Sequence, residues 1–117
     1  MHHFPYPSYL RTHRDRWALT QPELGALLGG ISASTVSKYE KLLRTPSIEA
    51  VIGAEFVFGE PARQLFPSLY ATIEARVTLQ AVEFAETLGS RTDPRTLAKR
   101  ELLESIARRA ASDAPTI

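Results

Sequence analysis

In its first half the sequence starts and stops helices at short intervals. Thr20 can cap a helix, Pro22 is tolerated in a first helical turn, and Glu23 stands where a carboxylate caps in return. The pair Gly29-Gly30 then ends the helix, because glycine adopts the left-handed conformation that a helix needs at its exit. Such a helix has about two turns. We therefore expect this part of the chain to fold as short helices packed against one another.

A first helix precedes Thr20 and carries its apolar residues at helical spacing. Within it, the spacing of Trp17 with Leu10 favours packing of the indole in the core over stacking on a nucleic-acid base. For the second helix, which begins at Thr20, the predicted buried stripe consists of Leu24, Leu27 and Leu28.

Three more short helices are predicted before residue 67. Ser32 or Ser34 caps the third, and Ser47 caps the fourth. Gly59-Glu60-Pro61 ends the fourth helix and starts a brief fifth. On the third helix, the side chains expected to point into the core are Val36 and Tyr39. The fourth carries the apolar residues Ile48, Val51, Ile52 and Phe56.

After Ser68 the pattern changes to one long apolar stripe. The stripe predicts a helix of about twenty residues, some 30 Å long at 1.5 Å per residue. Gly89-Ser90 breaks this helix, and Asp93-Pro94 caps and opens a last one. The stripe consists of Leu69, Ile73, Val77, Ala81, Phe84 and Leu88. No segment has the pattern of a strand, so the predicted fold is all-α.

The composition is that of a globular protein and excludes several kinds of site. Hydrophobic residues make up 44% of the 117, and charged residues 23%. The absence of cysteine excludes disulfides, thiolate zinc sites and cysteine nucleophiles. The longest apolar runs fall far short of the roughly 20 residues that span a bilayer, and the first residues lack a signal-peptide pattern. We therefore expect a cytoplasmic protein without membrane contact.

The positive charge is concentrated in the first part of the chain. Residues 1–47 hold six Lys/Arg against three Asp/Glu, a net charge of +3. Residues 48–117 hold eight against ten, a net charge of −2. The total net charge of +1 argues mildly against nucleic-acid binding. The uneven distribution of charge fits a DNA-binding first part followed by an acidic second part, or it arises by chance.

Two short helices joined by a glycine-containing turn, the second starting with small polar residues, suit the major groove of DNA. The residues that form this pattern are Arg14, Leu19-Thr20-Gln21-Pro22-Glu23-Leu24, Leu28-Gly29, Ser34-Thr35-Val36-Ser37-Lys38-Tyr39-Glu40 and Arg44-Thr45-Pro46. Here the chain resembles the phage repressor/Cro-type helix-turn-helix family, also called the xenobiotic-response-element type. The resemblance covers roughly residues 9 to 67. It implies a five-helix, lambda-repressor-like domain, followed in this chain by two C-terminal helices.

The resemblance also implies a role for individual residues. Gln21, beside the cap residue Thr20, would anchor a DNA phosphate. Arg14 and Glu40 correspond to a family ion pair that ties the first helix to the end of the recognition helix. The residues facing base edges would be Ala33, Ser34 and Lys38. Those near the sugar-phosphate backbone would be Ser32, Thr35, Ser37, Lys41 and Arg44.

The chain departs from the family pattern at two positions. Gly30 is an extra residue in the turn, which would shift how far the recognition helix projects into the groove. Leu42 stands where the family usually has glycine. A leucine there either disfavours the left-handed turn by about 1 kcal/mol or extends the helix. Because Ala33 and Ser34 offer little to a base edge, much of the specificity is expected from DNA shape or from the N-terminal arm.

The predicted organisation is a DNA-binding domain over residues 9–67, a helical extension over 68–111, and arms at 1–8 and 112–117. The extension packs back on the fourth and fifth helices or meets its copy in a second chain. We expect homodimerisation through it, because two heads about 34 Å apart are needed to read an operator. The predicted dimer contacts are Leu69, Ile73, Val77, Phe84 and Leu88.

The predicted function is sequence-specific regulation of transcription by a homodimer bound to double-stranded DNA. Repression is favoured, because a protein this small can block a promoter by occupancy alone. The alternative is an antitoxin-like or accessory protein whose C-terminal helices bind a protein partner, with DNA binding secondary. No phosphate loop, ligand cluster or catalytic spacing suggests an enzyme, a cofactor or a metal site. His2, His3 and His13 are read as solvated or structural.

Overall fold

The computed structural model describes residues 6–113 and, at the side-chain level, residues 6–112. Over this range the fold is all-helical and contains no strand. Its helices are α1 (Leu10–Arg16), α2 (Gln21–Leu27), α3 (Ala33–Glu40), α4 (Ile48–Phe58), α5 (Ala62–Leu65), α6 (Pro67–Leu88) and α7 (Pro94–Asp113). None of them is both long enough and apolar enough to cross a membrane.

Side-chain caps explain where several of these helices begin. Thr20 and Glu23 form a reciprocal capping box, in which each side chain accepts a hydrogen bond from the other residue's backbone N–H. The side chains of Ser32 and Ser47 each accept a hydrogen bond from the backbone N–H three residues later, and they cap α3 and α4 without a reciprocal bond. Before α7, Asp93 accepts hydrogen bonds from Thr96, and these hold the pKa of its carboxyl below the ordinary value. The predicted helix starts thus follow from local hydrogen bonding.

The chain divides into two compact units, with the boundary between Ala71 and Thr72, inside α6. We call them the first and second units. The sequence had placed a domain boundary four residues earlier, after residue 67. The first unit encloses a hydrophobic core to which every one of its helices contributes. The buried members of this core are Leu10, Leu24, Leu28, Val36, Tyr39, Ala50, Ala54, Leu65 and Phe66.

Two apolar residues predicted to be buried in the first unit lie at its surface. Trp17 is 65% exposed, and Leu27 is also exposed. Helix α1 ends at Arg16, because Ala18 adopts a left-handed φ of 55° and the chain turns there. Trp17 therefore leaves the helical path that its spacing with Leu10 implied. The prediction of a core tryptophan was wrong for this reason.

The fourth helix buries two alanines and exposes three larger apolar residues. Ala50 and Ala54 face the core, whereas Ile48 and Ile52 are exposed and Phe56 is 88% exposed. The three exposed residues recur every four positions, so they form one apolar stripe on the outer side of α4. These residues form a local apolar patch on the surface of the first unit.

The second unit buries far less apolar surface. Its buried side chains are Ala81, Leu88 and Thr96. Two of the predicted dimer contacts are already occupied within the chain, since Leu88 is 3% exposed and Leu69 packs against the core of the first unit. Leu88 is therefore unavailable to a second chain, which corrects that part of the prediction, whereas Leu69 is only partly covered. The other three predicted contacts, Ile73, Val77 and Phe84, are roughly half exposed.

Some predictions concern the chain ends. The two predicted arms lie partly outside the described residues, which exclude Met1–Pro5 and 114–117. His2 and His3 belong to the excluded part, whereas His13 is half-buried with its ring 5.6 Å from that of Phe58. Ser8, predicted as part of an arm, is buried. The segment that leads into α1 is therefore a fixed part of the first unit.

Candidate nucleic-acid interface

The turn between α2 and α3 is closed by backbone hydrogen bonds. The amides of Gly30 and Ile31 both donate to the carbonyl of Gly25, each at 3.0 Å. Gly29 and Gly30 both have positive φ, of 101° and 87°. A Cβ at Gly25 would overlap the carbonyl oxygen of Ile31, so only glycine allows the turn to approach α2 this closely. The extra glycine in the turn is therefore accommodated without loosening α3 from α2.

Helix α3 has one buried and one polar side. Val36, Tyr39 and Glu40 are buried. Ser34 and Lys38 are exposed, and Lys41 is exposed just after the helix ends. The N-terminal turn carries only short side chains, which lets the helix end approach another surface closely. This distribution is the one required of a helix that inserts its outer face into a groove.

A buried carboxylate joins three parts of the first unit. Arg14 donates from Nε to Oε2 of Glu40 at 2.6 Å and from Nη2 to Oε1 at 3.3 Å. The amide Nε2 of Gln21 donates to the same Oε1 at 3.0 Å. Arg14 also donates to the carbonyl of Leu19 at 2.8 Å. Helix α1, the start of α2 and the end of α3 are thereby fixed to one another.

The charges in this network are matched. The side chain of Glu40 is 4% exposed, so an unpaired carboxylate would be costly there. The hydrogen bond to Glu40 raises the pKa of Arg14, and this outweighs the opposing effect of burial. The two residues predicted to pair therefore do lie together. The contact of Gln21 with Glu40 was not predicted, since nothing in the local sequence relates residues nineteen positions apart.

The backbone at Leu42 decides between the two alternatives for the end of α3, which were a left-handed turn and a longer helix. Helix α3 ends at Glu40, and Leu42 adopts the left-handed conformation with a φ of 52°. Its amide donates to the carbonyl of Tyr39, and the amide of Leu43 donates to that of Lys38. The side chain of Leu42 packs against the core of the first unit. Burial of leucine here offsets the backbone strain that glycine would avoid.

The segment before α1 closes one flank of α3. Ser8 donates through Oγ to the carbonyl of Glu40 at 2.8 Å, which satisfies a backbone group at the end of the helix. A cavity of about 580 Å³ lies beside this contact. Residues of the N-terminal segment, α1 and α3 line it, among them Arg11, Thr12, Asp15, Ser37 and Lys41.

The cavity adds residues that the sequence analysis had missed. Arg11 and Thr12 line the same cavity as Gln21, Ser37 and Lys41, which were predicted to lie near DNA. Arg11 pairs with Asp15 at 3.5 Å across one turn of α1, and both are exposed. The spacing of this pair is visible in the sequence, but its position beside α3 follows only from the packing of α1 on α3.

The remaining predicted residues differ in exposure and in how their side chains are used. Thr20 and Ser32 are exposed, but their hydroxyls are used as caps. The hydroxyls of Ser32 and Thr35 also lie within hydrogen-bond distance of each other, at 2.9 Å. Ala33 and Thr35 are half-buried at the start of α3. Arg44 is exposed in the loop that follows α3.

Comparisons with protein-family models, with curated proteins and with solved structures gave no match for this chain.

Proposed function

We propose that the first unit binds double-stranded DNA, with α3 inserted in the major groove, and that the chain regulates transcription. The observation that carries this proposal is the polar outer side of α3, held in place by the buried network of Arg14, Gln21 and Glu40. The succession of α2, a glycine turn and α3 supports the proposal, since the sequence of this part resembles that of the repressor/Cro-type family.

The dimensions of α3 support this proposal. An α-helix with its side chains is about 10–12 Å in diameter, and the major groove is about 12 Å wide, so the groove admits one helix such as α3. The short residues Ala33 and Ser34 stand at the N-terminal end, where a recognition helix meets base edges. Lys38 stands one turn further along. Its ammonium is suited to O6 and N7 of guanine.

Cations flank the proposed recognition helix. Lys41 and Arg44 follow α3, and Arg11 lies on α1 at the cavity beside it. Such exposed cations suit the phosphates on either side of a groove, and each phosphate contact steepens the salt dependence of binding. We therefore add Arg11 to the backbone contacts proposed from the sequence. Repression by occupancy is the mode of regulation that we propose, as the chain is small.

The test is selection of bound duplexes from a random pool, followed by titration of the enriched site at several salt concentrations. Lys38→Ala is expected to weaken binding to that site by about 1–3 kcal/mol and to random DNA much less. Arg44→Ala is expected to weaken both and to lower the salt slope by about 1. Lys99→Ala removes the same charge as Lys38→Ala, but on the second unit, and serves as the control.

Two results would contradict the proposal. One is the failure of any sequence to be enriched. The other is an unchanged ratio of specific to random affinity in Lys38→Ala, which would mean that α3 does not read bases.

The second candidate function is binding of a partner protein, which the sequence analysis placed on the C-terminal helices. The exposed stripe of Ile48, Ile52 and Phe56 on α4 of the first unit offers a different surface for such a partner. In that case the chain masks another protein and binds DNA secondarily. Phe56→Glu would then abolish the complex with that protein while leaving the DNA affinity of the first unit unchanged. A Phe56→Glu variant that still forms the complex would contradict this candidate.

A further inference from the structure

We propose that the second unit pairs with a second copy of the chain and forms an antiparallel four-helix bundle. The pairing face, as we define it, consists of Ile73, Val77 and Phe84 of α6 with Leu102 and Ile106 of α7. Its evidence lies wholly in the second unit. The proposal therefore stands or falls independently of DNA binding by the first unit.

The first argument is that the second unit buries little apolar surface on its own. It consists of the later part of α6 and α7, joined by a short linker over residues 89–93, and such a connection makes two helices antiparallel neighbours. Its buried apolar residues are Ala81 and Leu88. An isolated pair of helices of this size is marginal without oligomerisation or another staple.

The second argument is the width of the apolar surface on α6. A helix with one neighbour needs one apolar stripe. In α6, Ala81 and Leu88 form the buried stripe, and Ile73, Val77 and Phe84 form another along its edge. The spacings of four and seven residues keep these three on one line of the helix. At 100° per residue this second line lies about 40–80° around the helix from Ala81, so the apolar arc of α6 extends past its buried stripe and leaves room for a second neighbour, as in a four-helix bundle.

The third argument is that α7 extends its apolar surface toward the same side. Leu102 is exposed and Ile106 is half-buried, four residues apart. A shallow groove lies between α6 and α7, lined by Ala81 and Ala85 on one helix and by Leu103 and Ala107 on the other. At 100° per residue, the apolar edge of α6 lies about 80° around its helix from Ala81 and Ala85, and that of α7 lies about 100° around its helix from Leu103 and Ala107. The two edges therefore lie on the same side of the hairpin, away from this groove.

The area of the pairing face is suitable for a stable dimer. Its five side chains expose on the order of 400 Å² per copy, against the roughly 500 Å² of apolar area on each side of a standard interface. That amount is at the low end for a specific homodimer and well below that of a permanent assembly.

Charge complementarity selects a second copy as the occupant and an antiparallel arrangement of the two α6 helices. Arg76 and Glu83 are exposed and seven residues apart, so they flank the apolar line on the same side. In an antiparallel pair, a two-fold axis that crosses the pairing face at the level of residues 79 and 80 sets Arg76 of each copy beside Glu83 of the other. The same axis sets Phe84 beside Ile73. A parallel arrangement would set this flank against the opposite flank of the partner helix and would leave these charges unpaired.

The first experiment measures the mass of the full chain in solution by sedimentation equilibrium from 1 to 200 µM without DNA. The wild-type chain is expected to be dimeric at the upper concentrations, and Val77→Glu/Phe84→Glu to be monomeric throughout. Leu79→Glu is the matched control. Leu79 lies on the same helix and is 60% exposed, but it is off the pairing face. This variant is expected to dimerise like the wild type.

The second experiment tests the antiparallel register by charge exchange. Arg76→Glu alone and Glu83→Arg alone are each expected to raise the dimer dissociation constant several-fold, because each places like charges together twice per dimer. The double variant Arg76→Glu/Glu83→Arg restores the pairing and is expected to return the constant close to the wild-type value. These substitutions leave the apolar face intact, so they do not depend on the folding of the glutamate variants.

Several outcomes would overturn the proposal. A wild-type chain that stays monomeric at 200 µM excludes the dimer. A dimer that is broken by Phe56→Glu but not by Val77→Glu/Phe84→Glu places the interface on α4 of the first unit. A double charge variant that is no better than the single variants excludes the antiparallel register. Because DNA is absent, none of these results bears on the function proposed for the first unit.

Discussion

The two units use their apolar residues in different ways. In the first unit, leucines and aromatic residues from separate helices meet in one core, and a buried ion pair is satisfied on every side. In the second unit, two longer helices leave most of their large apolar side chains at least partly exposed. Helix length alone therefore does not indicate stability. The short helices are fixed by tertiary contacts, whereas the long helices lack a sufficient partner within their own unit.

The largest expected effect concerns charge burial. Arg14→Met leaves the Glu40 carboxylate buried without its cation and should destabilise the first unit by about 3–5 kcal/mol. The matched change in the second unit is Arg100→Met, which removes hydrogen bonds to the carbonyls of Gly89 and Arg91 near the surface. That change should cost about 1 kcal/mol. Equal losses in urea unfolding would refute the contrast between the units.

Urea unfolding can be followed separately for the first unit. Trp17 is the sole tryptophan of the chain and lies in that unit, so indole fluorescence reports on it alone. Circular dichroism at 222 nm reports on all helices together. Arg14→Met should shift the fluorescence transition, whereas Arg100→Met should shift only the circular dichroism signal.

A core truncation tests the same contrast with apolar residues. Leu24 is 0% exposed, and Leu24→Ala should cost about 2–5 kcal/mol, because it removes buried methyl groups and leaves a cavity. Leu97 in α7 is half exposed and lies off the pairing face, so Leu97→Ala should cost less than about 1 kcal/mol. A large loss in Leu97→Ala would mean that the second unit has a tighter core than its burial indicates.

The smallest predicted effect is that of an alanine-to-glycine substitution on the free energy of unfolding, which should rise in the first unit and fall in the second. Ala18 is exposed with a φ of 55°, so Ala18→Gly relieves backbone strain and should stabilise the first unit by about 0.5–1 kcal/mol. Ala98 is exposed within α7, where Ala98→Gly should destabilise the helix by about 1 kcal/mol. Thermal unfolding of both variants tests the pair. A loss of stability in Ala18→Gly would show that the turn after α1 is not strained.

The sequence predicted the helices well because the residues that start and end a helix act on their close neighbours in the chain. Thr20, Ser47 and Pro94 mark starts that depend only on neighbouring residues, and the structure has helices at these places. Which apolar side chains become buried is not local. The periodicity of α4 does not reveal that Ala50 and Ala54 face the core while Phe56 is exposed, since that choice is made by packing against other helices.

The same distinction applies to the candidate site. The pairing of Arg14 with Glu40 was expected only through the family resemblance, and the addition of Gln21 was not expected at all. Long-range contacts of this kind leave no periodic signal in a single sequence. The left-handed backbone at Leu42 was predictable as an alternative, because the sequence has a leucine where a turn usually has glycine.

The shared carboxylate of Glu40 has an evolutionary consequence. A replacement of Arg14 by a neutral residue leaves the carboxylate of Glu40 buried without its cation, so a lineage can rarely make that change while Glu40 is retained. Ser34 and Lys38, on the outer side of the same helix, carry no such restriction. Mutation can therefore alter the surface that α3 presents while the scaffold beneath it is inherited unchanged.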